Sequence, residues 1–263
     1  RLNNKKKNFP SITVRYTRKQ QEEMKRKAEL IKTKEDKNKF HNHNVSTYKK
    51  RVKDYSPTDA YDKGLELVAN SYNNRSHLAK ALSLFRHSAA HKYAPAMYEV
   101  GRMYAEGLGV DQNYEVAKTN FEQAANYENV DAMASLGIIY AYGLGVDIDL
   151  KEALTWFESA SSGGLPRAEY NLGVMYRDGK GVEASVKQAV KHFLHAARND
   201  DAAAMSALGY AYAHGQGLKK DFDKAVQWFR NSAEAGYPPA QYNLGLAYRD
   251  GELDLKESQR DAL

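Results

Sequence analysis

The chain of 263 residues carries 39 Lys and Arg against 33 Asp and Glu, is 42% apolar and 11% aromatic, and holds no cysteine. Its length and apolar content suffice for a sizeable core, while the missing thiols exclude disulfides and thiolate metal sites and argue against a disulfide-stapled secreted fold. No apolar run approaches the eighteen or so residues that a membrane-spanning helix needs, so no transmembrane segment is expected.

The net charge of +6 hides a split. Residues 1–53 hold eighteen Lys and Arg against five Asp and Glu, a net +13, whereas residues 54–263 hold twenty-one against twenty-eight, a net −7. In this basic arm Phe9 to Tyr16 reads as extended. Arg18 to Lys39 reads as a charged helix with only Met24, Ala28, Leu30 and Ile31 as apolar contacts. Neither segment buries enough to fold alone. Cations interleaved with Phe9, Tyr16 and Phe40 suit phosphate contact and base stacking together. The polyanion-binding candidates are therefore Lys5, Lys6, Lys7, Arg15, Arg18, Lys19, Lys25, Arg26 and Lys27, with RNA or a ribonucleoprotein as the expected partner and an anionic membrane surface or an acidic protein as alternatives. The chain opens on Arg1 rather than Met, and a basic, acid-poor start is what removal of a transit peptide leaves, so a mitochondrial location is expected, with the ER lumen or cytoplasm as alternatives.

Residues 54–94 read as a degenerate N-terminal capping helix pair. Ala60, Ala81 and Phe85 keep the phase of the later repeats, but Val68 stands where a tyrosine is due and the stretch Ser71 to Ser76 replaces a glycine loop. From there a phrase recurs without drift. Ala81, Ala117, Ala153, Ala189 and Ala225 are thirty-six residues apart, and so are Phe85, Phe121, Phe157, Phe193 and Phe229. A fixed period of this length marks a solenoid, each repeat burying its apolar face only against its neighbours. Within a repeat, Ala168, Leu172 and Tyr176 share one face of a helix A, Gly179-x-Gly181 stops it, and Ala189, Phe193 and Ala197 form the stripe of a helix B. The glycine inside helix A, at Gly101, Gly137, Gly173, Gly209 and Gly245, is expected to let helix B approach closely. The pattern predicts an all-α, α/α solenoid of antiparallel helix pairs, with repeats over 95–250 and an incomplete last unit at 251–263.

The wording Ala168-Glu-Tyr-Asn-Leu172-Gly173-Val-Met-Tyr176-Arg-Asp-Gly179-Lys-Gly181-Val182, then Ala189, Phe193 and Ala196-Ala197, resembles the Sel1-like repeat, a relative of the tetratricopeptide repeat. Repeats begin at Ala96, Ala132, Ala168, Ala204 and Ala240. The tryptophan usual before the phenylalanine is present as Trp156 and Trp228 and replaced by Asn120 and His192. What the resemblance implies is a right-handed superhelical solenoid that binds proteins and holds larger assemblies together, without catalysis.

Sites of chemistry are sparse. His87 with His91 and His192 with His195 have helical spacing, but neither pair has an evident third ligand, so no metal is assigned. The Gly-x-Gly loops join helix to helix and lack a succeeding Lys-Ser/Thr, which makes them turns rather than phosphate cradles. The acidic residues after them read as helix caps and solvated faces. No Ser, His and acid set stands at a recognisable motif, and no catalytic residue or cofactor is assigned. The expected protein-binding groove collects the third, seventh and tenth positions of each helix A. Its candidates are Tyr98, Arg102, Ile138, Tyr170, Val174, Arg177, Tyr210, Tyr242, Leu246 and Arg249, a set rich in the Tyr and Arg favoured at binding hot spots. The reading is a non-catalytic scaffold whose arm docks on RNA or a ribonucleoprotein such as the mitochondrial ribosome. An adaptor in luminal protein quality control is the alternative, with Asn44-Val-Ser46 and Asn74-Arg-Ser76 as glycosylation triplets.

Overall fold

The computed structural model describes residues 52–71 and 74–250. The arm cations Lys5, Lys6, Lys7, Arg15, Arg18, Lys19, Lys25, Arg26 and Lys27 and the incomplete unit of residues 251–263 lie outside the described residues. Every regular element among the described residues is helical, and none is long and apolar enough to cross a membrane.

Two compact units divide the chain, one ending at Ser135 and the other beginning at Leu136. The N-terminal unit contains a short 3-10 turn, Val52–Asp54, then α1 (Pro57–Ala69), α2 (Arg75–Ala90), α3 (Ala94–Glu106), α4 (Tyr114–Ala125) and the start of α5 (Val130–Tyr142). The C-terminal unit contains the rest of α5, then α6 (Leu150–Ser162), α7 (Pro166–Asp178), α8 (Val186–Arg198), α9 (Ala202–His214), α10 (Phe222–Glu234) and α11 (Pro238–Asp250). Within each unit consecutive helices pack as neighbours, the A and B helices of one repeat most closely, which is an α/α solenoid of helix pairs.

The closeness of each pair has one cause. An added Cβ on Gly101 would stand 2.7 Å from the Phe121 ring, on Gly137 2.6 Å from Phe157, on Gly173 2.5 Å from Phe193, and on Gly209 2.7 Å from Phe229. Each phenylalanine thus lies on bare backbone and is buried, contributing roughly 1.5 to 3 kcal/mol, more than the roughly 1 kcal/mol that a helical glycine costs. The capping pair makes the same contact through Gly64 against Phe85. Gly64 falls four residues after Ala60, whereas Gly101 falls five after Ala96, and this one-residue slip hides it from the period.

Loops repeat as strictly as helices. Helix A ends on Gly107, Gly143, Gly179 and Gly215, all in the left-handed region that glycine enters without penalty. Helix B then begins on Asn113, Asp149, Ser185 or Asp221, whose side chain accepts from a first-turn backbone N–H of the helix it opens. The same four residues donate their own N–H to the carbonyls of Tyr104, Tyr140, Tyr176 and Tyr212 at 2.8–3.0 Å, which fixes the loop against helix A. The second loop glycine seats one repeat on the last. A Cβ on Gly109 would meet Leu78 of α2, and one on Gly181 or Gly217 would meet the backbone of Leu150 or Val186.

Replacing Gly173 by Ala adds helix propensity but drives a methyl into the Phe193 ring, and overpacking costs about 1 to 3 kcal/mol. Denaturant unfolding is expected to show Gly173→Ala destabilised, whereas Gly245→Ala, where an added Cβ meets nothing within 4 Å, leaves stability equal or higher. Phe157→Ala is expected to cost about 3 to 5 kcal/mol.

Candidate functional site

The third, seventh and tenth positions of helix A receive different environments in the two units. In the N-terminal unit Tyr98 and Arg102 are 6% and 5% exposed, so these two expected groove residues lie inside rather than on an open surface. Tyr98 sets its ring 5.7 Å from that of Phe121. Arg102 donates through Nε to Glu99 Oε2 at 2.9 Å and through Nη1 to Glu106 Oε2 at 3.3 Å, and the Glu99 side chain is buried with it. Burial raises the Glu106 carboxyl above its ordinary value, the Arg102 charge opposing and the Glu99 charge reinforcing the shift. Asp131, in the first turn of α5, is raised by burial and by the charge of Glu99.

In the C-terminal unit the candidate residues of this register are more open, although Ser206 and Ala213 of α9 are buried. Tyr170 and Val174 are half-buried, Ile138 of α5 likewise, while the Arg177 side chain is 45% exposed and Tyr210 and Tyr242 are 50% and 67% exposed. Tyr170 packs at a tilt on Phe193 at 5.8 Å, as Tyr98 does on Phe121, so this tyrosine belongs to the joint between helices before it belongs to any groove. Burial, with the neighbouring Tyr237 hydroxyl, pushes the Tyr170 phenol up to about 12. Arg167 lies over the Tyr170 ring and donates to Asp201 at 2.7 Å, and Asp201 caps α9 by accepting from Ala204 N. Arg177 forms a two-pronged pair with Asp178, at 2.7 and 3.2 Å. The Tyr210 ring lies beside that of His214, and Tyr242 lies on α11, whose side chains from Leu246 to Asp250, Arg249 included, fall outside the described residues.

One cluster is invisible in the sequence. Glu169 of α7 draws in both His192 and His195 of α8, with His192 Nδ1 donating to Oε2 at 2.7 Å and His195 Nδ1 lying 3.2 Å from Oε1, while Ser161 of α6 donates to Oε1 at 2.6 Å. Twenty-three residues separate Glu169 from His192, and only the hairpin turn brings them together. The Ser161 hydroxyl points to the carboxylate rather than to an imidazole, so the cluster is a strut without an activated nucleophile. Among the described residues no group of three or more His, Cys, Asp or Glu is arranged to hold a metal ion. His87 and His91 are separately engaged, His87 Nε2 donating to Tyr55 O and His91 Nδ1 to His87 O.

The phase-locked glycines, caps and phenylalanines have a counterpart in known proteins. The profile of the Sel1 repeat matches residues 94–126, 130–165, 166–201, 202–237 and 238–263, more than half of the chain. The chain belongs to the Sel1 repeat family. A Sel1 repeat protein from Oxalobacter formigenes is 30% identical, with a TM-score of 0.71, over 79% of this chain and 84% of that one. The protective antigen c5321 of uropathogenic Escherichia coli, described as displaying an SLR fold, is 27% identical with a TM-score of 0.65, over 83% of this chain and 47% of the antigen. Pseudomonas aeruginosa 5086 shares the fold, with a TM-score of 0.56 at 18% identity over 78% of each chain. No curated protein matches the chain. As a Sel1 repeat protein the chain is a helical-repeat scaffold. Its glycine, phenylalanine and loop positions are accounted for by that architecture, and His192, in the place of a Sel1 tryptophan, keeps a flat ring stacked 5.2 Å from Tyr176.

Burial pushes the Glu169 carboxyl upward, but the Ser161 and His192 hydrogen bonds and the two imidazole charges outweigh it and leave it below its ordinary value. A lowered carboxylate stabilises the fold above its unfolded value, near 4.5, and that contribution is lost as pH falls through the folded value. Glu169→Gln is therefore expected to destabilise by about 1 to 3 kcal/mol at pH 6, with the gap to the parent closing as denaturant midpoints are followed toward pH 3.

Proposed function

We propose that this Sel1 repeat protein is a non-catalytic docking scaffold. Its C-terminal unit holds a protein partner on the helix A face that carries Val174, Arg177, Tyr210 and Tyr242, and its basic arm docks on RNA or a ribonucleoprotein such as the mitochondrial ribosome. The observation that carries the first half is the exposure of Tyr210, Tyr242 and Arg177 on successive A helices of one unit. Aromatic and guanidinium groups held by packed helices lose little freedom on binding, which is how a few such residues dominate an interface. The charge division supports the second half, because the net +13 of residues 1–53 exceeds the net −7 of the remainder.

For the arm, the test is RNA binding by the full chain across a salt series. Neutralising five phosphates of a single strand gives a slope near −3.5, so affinity should fall about a hundredfold between 50 and 200 mM salt. Replacing Lys5, Lys6, Lys7, Lys25, Arg26 and Lys27 by Gln should weaken binding and flatten that slope, and an unchanged slope would remove RNA from the reading. For the face, Tyr210→Ala with Tyr242→Ala should release proteins co-purifying with the intact chain at unchanged helix content. Retention of every one of them would move the interface elsewhere.

A further inference from the structure

Helix α8 carries a row of cations that the packing of the repeats does not use. Its inward stripe, Ala189, Val190, Phe193, Ala196 and Ala197, is buried. On the other side Lys187, Lys191 and Arg198 are exposed. At 100° per residue these three fall within about 40° of arc, and they spread over about 17 Å of helix. None of them forms an ion pair among the described residues. Lys187 and Lys191, at i and i+4, repel each other, which weakens a helix rather than holding it.

No acid balances the row. Helix α8 contains no Asp or Glu, whereas the other B helices of the C-terminal unit do, Glu152 and Glu158 in α6 and Asp223 and Glu234 in α10. Acids of the adjoining loops are engaged elsewhere, Asp178 with Arg177 and Lys180 and Asp221 with Lys224, while Glu183 and Asp200 form no ion pair among the described residues. Helix α2 of the N-terminal unit also lacks acids, but there Arg75 is paired with Asp111 and Arg86 donates to the Tyr104 hydroxyl. More charge arrives from the next loop. An added Cβ on Gly217 would stand 2.8 Å from Val186 O, so the loop that carries the exposed Lys219 and Lys220 is seated on the first turn of α8.

We propose that the α8 row is a contact for the phosphate backbone of a nucleic acid, separate from the basic arm and not dependent on it. One strand of a duplex presents a charge about every 3.4 Å of axis, so about five phosphates pass along the row. Lys and Arg meet such phosphates without reading bases. A protein partner would need aromatic or apolar anchors at the centre of the contact, and the only large apolar residue exposed on α8 is Val186, at its end and 39% exposed. A helix lying on a membrane sinks its apolar face into the lipid, and the apolar face of α8 is buried against other helices. Charge without apolar anchors is the term on which backbone binding rests. RNA and DNA share that backbone, and titration with each tells which one the row takes.

The test titrates the full chain with 30-nucleotide polyuridine and polythymidine between 50 and 200 mM salt. Replacing Lys187, Lys191 and Arg198 by Gln keeps helix propensity close to that of the parent and leaves the arm untouched. Each lost phosphate contact removes about 0.7 from the slope of log affinity against log salt for a single strand, so the slope should become less negative by about 2 with one polymer or both. A control of equal charge loss, Lys80→Gln with Lys92→Gln and Lys118→Gln in the N-terminal unit, should keep the parent slope. Equal slopes for the parent and the α8 variant with both polymers would overturn the proposal, as would the same change in the control. So would α8-dependent binding confined to polyglutamate or to phosphatidylserine vesicles. A slope that the α8 substitutions change and the arm substitutions do not would leave the row standing and remove the arm.

Discussion

A phenylalanine ring resting on the bare backbone of a glycine is the contact on which each repeat is built. It brings helix B closer to helix A than any side chain would allow, and the distances are nearly constant, 2.5–2.7 Å from a built Cβ in five pairs. So small a tolerance forbids compensation by a neighbour, since interiors at this density do not deform smoothly. The thirty-six-residue period is a consequence. Once helix separation is fixed, loop length, cap position and the seat of the second loop glycine are fixed with it. At Gly64 the capping pair shows the constraint from the other side, because its register shifts by one residue and the contact survives.

That rigidity decides what could be read in the sequence. Letters that geometry restricts to a single residue type, the helical glycine and its phenylalanine, stand out at once, and the helix pairs with them. Positions where chemistry accepts several residue types do not. The caps Asn113, Asp149, Ser185 and Asp221 hold perfect phase and perform one task, yet three residue types serve it equally, so they read as scattered polar residues. The meeting of Glu169 with His192 and His195 depends on the hairpin rather than on spacing along either helix, and no period marks it. Tyr98 and Arg102 share a register with Tyr170 and Val174, and register alone carries no information on what lies outside the repeat.

A few polar contacts hold successive repeats together. Arg167 reaches Asp201, which caps the next A helix, and Ser232 donates to Ala202 O at 2.5 Å across a similar distance in sequence. Glu169 ties three successive helices through Ser161 and His192. These interactions are local, each joining a repeat to an adjacent one, which suits a quasi-linear stack whose stability is a sum of neighbour terms.

An architecture of this kind separates the residues that must be constant from those free to vary. The constant set faces inward between A and B helices, and the free set lies at the third, seventh and tenth positions of helix A. There Tyr210 comes 40 residues after Tyr170 rather than 36, because it occupies the seventh place and not the third. Substituting at the exposed members of this set, such as Arg177, Tyr210 and Tyr242, alters what a repeat presents without altering how it stacks, so recognition can change while the Gly and Phe contacts stay as they are.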